Sequence, residues 1–333
     1  MDNKKITIDD IARDLGISKT TVSRAISGKG RIGTATREKV LSYISEKNYR
    51  PSAIAKGLAQ SKTYNLAFAM PSDSKFIDLP FFQRCMWGIC AEGSKADYDV
   101  LLCIVDENDI SGLKRLADNH KVDGVILGRT YENGLAEKYL FSEGIPFVTI
   151  GTSAAADAVQ IDNDHVEACR ELTGRLLDEG LRRLAVIGGR TEHIVNKSRL
   201  TGFTKAHTER GLMTDNAIMY MGSSDKDSVE KALAKVLEQN VDCIVCTDDS
   251  VCNTVINRLL SLKLEIPKDM RVASFYNSTT LENFRPTITS LEFDAVGAGM
   301  LSCSTLLNLI DGVNVSKKTL LGYNILMRDS TRK

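Results

Sequence analysis

No run of 18 consecutive apolar residues occurs anywhere in this sequence, which argues against a membrane-spanning helix. The first residues are polar and charged, without the apolar core of a secretory signal, so the expectation is a cytoplasmic protein. Histidine is scarce: the four in the chain stand apart, with no H-E-x-x-H, and no metal site is expected. The eight cysteines are scattered rather than clustered. Cys243 and Cys246 sit three apart in an apolar run that reads as a strand, so they point to opposite faces and do not suggest a shared metal or a redox pair. Buried, reduced thiols are expected instead. No G-x-G-x-x-G or Walker sequence is present, which leaves a nucleotide cofactor unsupported, and no G-x-S-x-G elbow marks a hydrolase. No cofactor and no enzymatic activity are therefore expected.

Net charge is also lacking: 43 Lys and Arg balance 43 Asp and Glu over 333 residues. The balance hides an asymmetry. Residues 1–62 carry 13 basic residues against six acidic ones, an excess of seven that the remainder of the chain must offset. A basic head on an acidic body is the pattern of a nucleic-acid-binding domain joined to something else. A merely solvated basic face is the plainer alternative.

The length implies more than one domain. The first sixty residues read as short helices. Thr7 is a plausible N-cap with Asp9 and Asp10 in the first turn. Ile8, Ile11, Ala12 and Leu15 form one apolar face, Gly16 permits a tight turn, and Ser18 can cap a second helix with Val22, Ala25 and Ile26 inward. A third helix starts near 34–36, and Pro51 breaks the chain. Residues 52–60 have helical spacing but little apolar surface. Beyond residue 63 the texture changes to short apolar runs (66–70, 100–105, 124–127, 147–150, 184–187, 218–221, 243–246, 272–275) alternating with amphipathic helices, and a last helix and strand lie near 296–310 and 320–327. This alternation predicts two runs of βαβ units, hence two parallel sheets wound on both faces.

The run 7–24, TIDDIARDLGISKTTVSR, joins two helices by a glycine-containing turn and makes the second helix polar and basic. That is a helix-turn-helix: Lys19, Thr20, Ser23 and Arg24 are offered to a DNA groove while Val22 and Ile26 face the core. A small structural hairpin is the alternative. With the following TREKVLSYISEKNYRPSAIAKGLAQSKT, this run resembles the LacI/GalR family of bacterial regulators, and the resemblance covers the whole chain. It implies an N-terminal all-α helix-turn-helix domain (1–50), a hinge helix or linker (51–63), and an α/β body (64–333). The body would have the periplasmic-binding-protein-like form of two doubly wound parallel-sheet subdomains. One would comprise about 64–161 with 291–322, the other about 162–290 with 323–333.

The resemblance also implies the site residues. Thr7, Ser18, Lys19, Thr20, Thr21, Ser23 and Arg24 would meet bases and phosphates of each half of a pseudo-palindromic operator. Ser52, Ala55 and Leu58 of the hinge would reach the minor groove, with Leu58 as an apolar wedge. Ser52 stands where the family usually carries Asn. In the body, Arg199 lies in SRLTGFTKAHTERG, similar to the family's R-x-x-G-[YF] segment, where the Arg meets effector oxygens; a surface ion pair is the alternative. Asp249 matches the acidic residue that accepts effector hydroxyls, although Asp248 or Asp249 would equally serve as a helix cap. Phe82 and its neighbour Phe81 are similar to aromatics that line the family's cleft, with Phe275 and Phe293 further candidates, and core packing is the alternative for each. Asp162, in Asp162-Asn163-Asp164, is a ligand candidate in a segment that reads more readily as a helix cap. Tyr276 replaces the family's usual Asp, and Leu181-Arg182-Arg183 its usual Gly-His-Arg.

The expectation is thus a homodimeric, sequence-specific transcription regulator, more often a repressor in this family. It would control carbohydrate-utilisation genes through a small effector, a sugar or sugar phosphate, bound between the subdomains. VDGVILGRTYENG, GIPFVTIG and IDNDH look most like maltose-type regulators. A cytoplasmic solute-binding protein and a regulator responding to a nucleobase or nucleoside are the alternatives.

Overall fold

The computed structural model describes residues 6–27, 30–47, 49, 57, 62–72, 79–212, 218–223 and 225–332. The chain divides into two compact units between Thr63 and Tyr64. The smaller unit holds helices α1 (Ile8–Leu15), α2 (Lys19–Ser27) and α3 (Thr34–Glu46). Thr7 opens α1 through a capping box with Asp10, satisfying donors that the first turn leaves orphaned. Gly16 ends it at φ 67°, a left-handed conformation that glycine takes without penalty. The core is a small cluster of Ile11, Ala12, Val22, Ala25 and Val40, with Leu15, Ile26 and Ile44 packed around it. The Tyr43 hydroxyl donates to Asp14 and ties α3 to α1. Ser52, Ala55 and Leu58 lie outside the described residues, as does most of the segment in which a hinge helix was expected.

The larger unit contains two six-stranded sheets. The first is built from β1 (Asn65–Pro71), β2 (Asp99–Val105), β3 (Gly124–Leu127), β4 (Phe147–Ile150), β5 (Val159–Asn163) and β11 (Lys318–Leu321). They run in the order β11-β5-β4-β3-β1-β2, all parallel. The second uses β6 (Leu184–Ile187), β7 (Met219–Tyr220), β8 (Cys243–Cys246), β9 (Arg271–Ser274), β10 (Thr289–Phe293) and β12 (Tyr323–Leu326). Its order is β12-β10-β9-β8-β6-β7, with β12 antiparallel to β10. Helices α4 (Leu79–Lys95), α5 (Ser111–Ala117), α6 (Leu135–Ser142) and α12 (Ala295–Ile310) accompany the first sheet, and α7 (His165–Asp178), α8 (Ile194–Glu209), α9 (Lys226–Leu237), α10 (Asp249–Ser261) and α11 (Thr279–Asn283) the second. Each sheet has an apolar cluster on either face, so the strands read as unbroken apolar runs rather than as alternations.

The architecture is the expected one, with three differences. The chain passes between sheets after Asn163 and after Phe293, a little later than the sequence boundaries, because β5 and β10 each run to their ends in the sheet where they began. The single strand expected near 320–327 is two, broken at Gly322, where the chain leaves the first sheet for the second. The second sheet is mixed rather than wholly parallel, since β12 returns against β10.

Candidate functional site: a cleft between the sheets and an exposed helix face

In each sheet the strand order reverses next to the first strand, between β1 and β3 and between β6 and β8. In open α/β sheets, ligands bind outside the carboxyl ends of the strands at such reversals. A cleft lies there. From the first sheet it is lined by Gly128, Arg129 and Thr130 after β3, Gly151 and Thr152 after β4, Asp162 and Asn163 at the end of β5, and Phe81 and Phe82 on α4. The second sheet contributes Val195, Ser198 and Arg199 on α8, and Tyr276 after β9. His165, opening α7, completes the wall.

Polar groups in this cleft are held in place by one another. The Thr152 hydroxyl donates to Asp162 Oδ2 at 2.6 Å, and the Asn163 amide donates to Asp162 Oδ1 at 2.8 Å. Burial raises the pKa of Asp162 above the usual carboxylate value, against the opposing pull of these hydrogen bonds. His165 Nε2 lies 3.8 Å from Asp162 Oδ1. The pair is not an ion pair near neutral pH, because burial and then the Arg199 charge push the His165 pKa well below its ordinary value. Arg129 Nη1 is 3.2 Å from His193 Nδ1, and its guanidinium stands over the Phe82 ring at 5.3 Å. Phe81 meets Tyr276 edge-on at 5.9 Å, and Tyr276 stacks on Phe293 at 6.5 Å.

The two sides of the cleft also touch one another directly. Tyr131 and His193 form an isolated antiparallel bridge. Arg190 Nη2 pairs with Glu107 Oε2 at 2.9 Å, and Lys197 pairs with Glu132. The space left inside is about 50 Å³, well below the roughly 300 Å³ at the lower end of ligand pockets. A ligand of ordinary size enters only if the halves part.

Of the sequence candidates, Phe82, Asp162 and Arg199 come together in this cleft, with Phe81 beside them. Asp249, Phe275 and Phe293 do not line it. Phe275 is fully buried, because the residue after β9 points into the core among Leu291, Phe293 and Phe203. Phe293 packs behind Tyr276 and against His165. Asp249 is buried at the first position of α10. Its neighbour Asp248 is the cap, accepting from the Val251 amide at 2.9 Å. In the segment 162–164 the cap is Asp164, which accepts from the Glu167 amide at 3.0 Å and leaves Asp162 to the cleft. Sequence reasoning missed Arg129, Thr152, His165 and Ser198. The usable signal for Arg129 was its place just after the apolar run that became β3.

In the smaller unit, α2 buries Val22 and Ala25 and exposes Lys19, Thr20, Ser23 and Arg24 on its other side. Ser18 precedes it, with Oγ accepting from the Thr21 amide at 3.1 Å and lying 2.8 Å from Thr21 Oγ1. The Thr7 hydroxyl is engaged by Asp10, and the Lys19 ammonium by Asp9. A polar, basic, exposed helix following a glycine turn has the chemistry to enter a major groove.

Residues 7–52 match the family described as bacterial regulatory proteins, lacI family, and residues 173–331 match the periplasmic binding protein-like domain. The HTH-type transcriptional regulator MalR of Streptococcus pneumoniae is 28% identical over 312 residues, covering 92% of this chain and 93% of the relative. Catabolite control protein A of Staphylococcus aureus is 28% identical over 307 residues, covering 89% and 92%. Among solved structures, the Lac repressor dimer bound to operator and the anti-inducer ONPF superposes with a TM-score of 0.81 at 20% identity, over 98% of this chain and 99% of the other. The transcriptional regulator CelR-cellobiose complex gives 0.73 at 24%, over the same shares. At these identities the structural likeness is one of fold.

Proposed function

The chain belongs to the LacI family of bacterial regulatory proteins, and from that premise we propose that it is a dimeric repressor of carbohydrate-utilisation genes whose grip on operator DNA is set by a sugar-type effector in the cleft. The observation that carries the reading is the exposed Lys19–Arg24 face of α2, within the matched residues 7–52. Lys19 and Thr20 are assigned to base edges. Thr7, Ser18, Thr21, Ser23 and Arg24 are assigned to a mixture of bases and phosphates, with Ser52, Ala55 and Leu58 of the hinge segment in the minor groove.

Dimerisation has support in exposed large apolar side chains of the first subdomain. Trp87 on α4 is 71% exposed, and Leu102 and Ile104 on the edge strand β2 are 48% and 54% exposed. Exposed large aromatic and aliphatic side chains are the composition of an interface core. A sugar effector is supported by two solved neighbours, one named a probable maltose operon transcriptional repressor and one solved with cellobiose. The cleft's mix of aromatic faces and hydrogen-bonding side chains supports it too. Phe82, Asp162 and Arg199 are assigned to that effector, with Arg129 and Thr152 added. Asp249, buried at the first position of α10, is not assigned to it.

Because an effector must separate the halves to enter, its differential affinity for open and closed forms is what shifts operator affinity. This role places the protein in the cytoplasm, with no catalytic step. Among the described residues no helix is long and apolar enough to cross a membrane.

A gel-shift titration of the full chain against DNA flanking its own gene, with random DNA as competitor, tests the reading. A specific complex with a pseudo-palindromic footprint is expected. Equal affinity for random DNA sinks the proposal and leaves a solute-binding protein as the better account.

A further inference from the structure

Asp9 and Asp10 both sit in the first turn of α1, but the cap of that helix uses Asp10. The Asp10 carboxylate accepts from the Thr7 amide and hydroxyl and pairs with Arg13 at 3.2 Å. Asp9 is not part of the capping box. Its Oδ1 reaches instead to the Lys19 ammonium, at the first position of α2. The two side chains are 49% and 70% exposed. An ion pair so open to water contributes little to folding and is screened by salt. Its place on the molecule has a larger consequence.

The N-terminal residues of a recognition helix are those that meet base edges in the major groove. A carboxylate in contact with the ammonium of such a residue is carried to the groove with it. There it is repelled by phosphates. It is repelled equally by guanine N7 and O6, adenine N7 and thymine O4, which are all acceptors. The donors it can meet are the amino groups, N4 of cytosine and N6 of adenine. On adenine the N7 acceptor stands beside the amino group and opposes a carboxylate, so cytosine is the better partner. Lys19 has three N–H donors, enough to keep Asp9 with one and give another to a base acceptor. Successive base pairs stand about 3.4 Å apart, a step that a touching ammonium and carboxylate can span.

We infer that Asp9 is a specificity residue. In each half-site it accepts a hydrogen bond from the N4 amino group of a cytosine, in the base pair next to the one met by Lys19. Thymine, which places the O4 acceptor where cytosine has its amino group, is rejected there. The same acid draws Lys19 away from phosphates, so random DNA is held less tightly. The inference rests on α2 being the recognition helix, and it adds an acid from α1 to a face otherwise assigned to hydroxyls and cations.

The test is selection of operators from a random library by the full chain, wild type against Asp9→Ala. Binding titrations follow, on the winning duplex and on its single-pair replacements. The wild type is expected to demand a C·G pair at one position of each half-site, with T·A there weakening binding about tenfold or more. In Asp9→Ala that ratio should fall below about threefold, at that position alone. Affinity of this variant for random DNA should rise about twofold or more. Asp9→Glu keeps a carboxylate and should still prefer C·G. Circular dichroism melts report whether α1 still forms, and Asp9→Asn, which keeps the shape and loses the charge, carries the test if the alanine variant unfolds.

Identical base preferences in the wild type and the uncharged variant overturn the inference and leave Asp9 to the dipole of α1 alone. Relaxation at a position where the wild type selects an A·T or T·A pair overturns it as well. A wild type that enriches no sequence is the failure of the DNA-binding reading itself, and takes the inference with it.

Discussion

Tyr131 and His193 form an antiparallel bridge between a loop of the first sheet and a loop of the second, with their rings edge-on and 5.8 Å apart. The ion pairs Arg190–Glu107 and Lys197–Glu132 flank it, and their side chains are a quarter to about half exposed. Pairs of this kind contribute about 0–1 kcal/mol each. Replacing both Arg190 and Lys197 by Ala should therefore cost less than about 2 kcal/mol in global stability, yet raise amide exchange around Tyr131 and His193 through local opening. Hydrogen–deuterium exchange unchanged in that region would mean the ion pairs do not hold the cleft shut.

The recognition face yields a specificity prediction. Lys19→Ala and Thr20→Ala should each alter which operator is preferred, by about 1–3 kcal/mol per lost base contact. Asp9 holds the Lys19 ammonium, so Asp9→Asn should free it and raise affinity most for operators carrying the base that Lys19 reads. Binding of the dimer should fall with salt along a log–log slope of magnitude at least ~5, from several neutralised phosphates. An operator-library selection in which both alanine variants lose affinity uniformly would remove α2 from base readout.

Stability should decline on mild acidification. His165 and His207 are both held below their ordinary pKa, chiefly by burial. A histidine depressed in the folded state contributes stability that is complete above its unfolded pKa near 6.5 and is lost as pH falls toward the folded value. Each can steepen the slope by up to about 1.4 kcal/mol per pH unit. Asp162 and Glu137 are raised by burial and act in the opposite sense, at lower pH, where the folded protein takes up protons first. Urea midpoints between pH 7 and 5 should fall for the wild type and flatten in the His165→Gln, His207→Gln double variant. Parallel curves would count against this origin.

Gly88 should not tolerate a methyl group. A Cβ built there would sit 2.1 Å from the Val296 carbonyl oxygen and 2.9 Å from the Met300 amide, because α4 and α12 cross backbone to backbone. Alanine is the better helix former by about 1 kcal/mol, but overpacking costs about 1–3 kcal/mol or more, so Gly88→Ala should be destabilising. A raised denaturation midpoint would show that the two helices separate at little cost.

What the sequence made legible follows from how local each signal is. The apolar runs that became β3, β4, β6 and β8 needed only their own residues to be read. Strand β10 went unread because Thr-Ser-Leu-Glu-Phe is not an apolar run, although its backbone pairs with both β9 and β12. The break at Gly322 was invisible because the residues on either side do not say which sheet they join. Phe82, Asp162 and Arg199 were within reach through a familiar sequence pattern. Thr152 and His165 were not, because their neighbourhood exists only once the ends of β4 and β5 are laid beside one another. Phe275 and Phe293 misled for the converse reason: an aromatic near a strand end is as suited to the core as to a ligand.

The first sheet is finished by the last part of the chain. Its outer strand β11 pairs with β5, and α12 supplies Ala295, Cys303 and Leu306 to the cluster that holds Leu66, Phe68 and Ile126. During synthesis, residues 64–163 therefore emerge with one flank of their core exposed, and stay so until Leu321 has left the ribosome. The second sheet, whose strands β6 to β10 are nearly contiguous, can close first. Pairings of such long sequence separation form slowly, and an uncovered apolar flank is prone to association while it waits. The nascent chain should thus depend on holdase chaperones for most of its translation, and its aggregation should track the speed of elongation through the final third of the message.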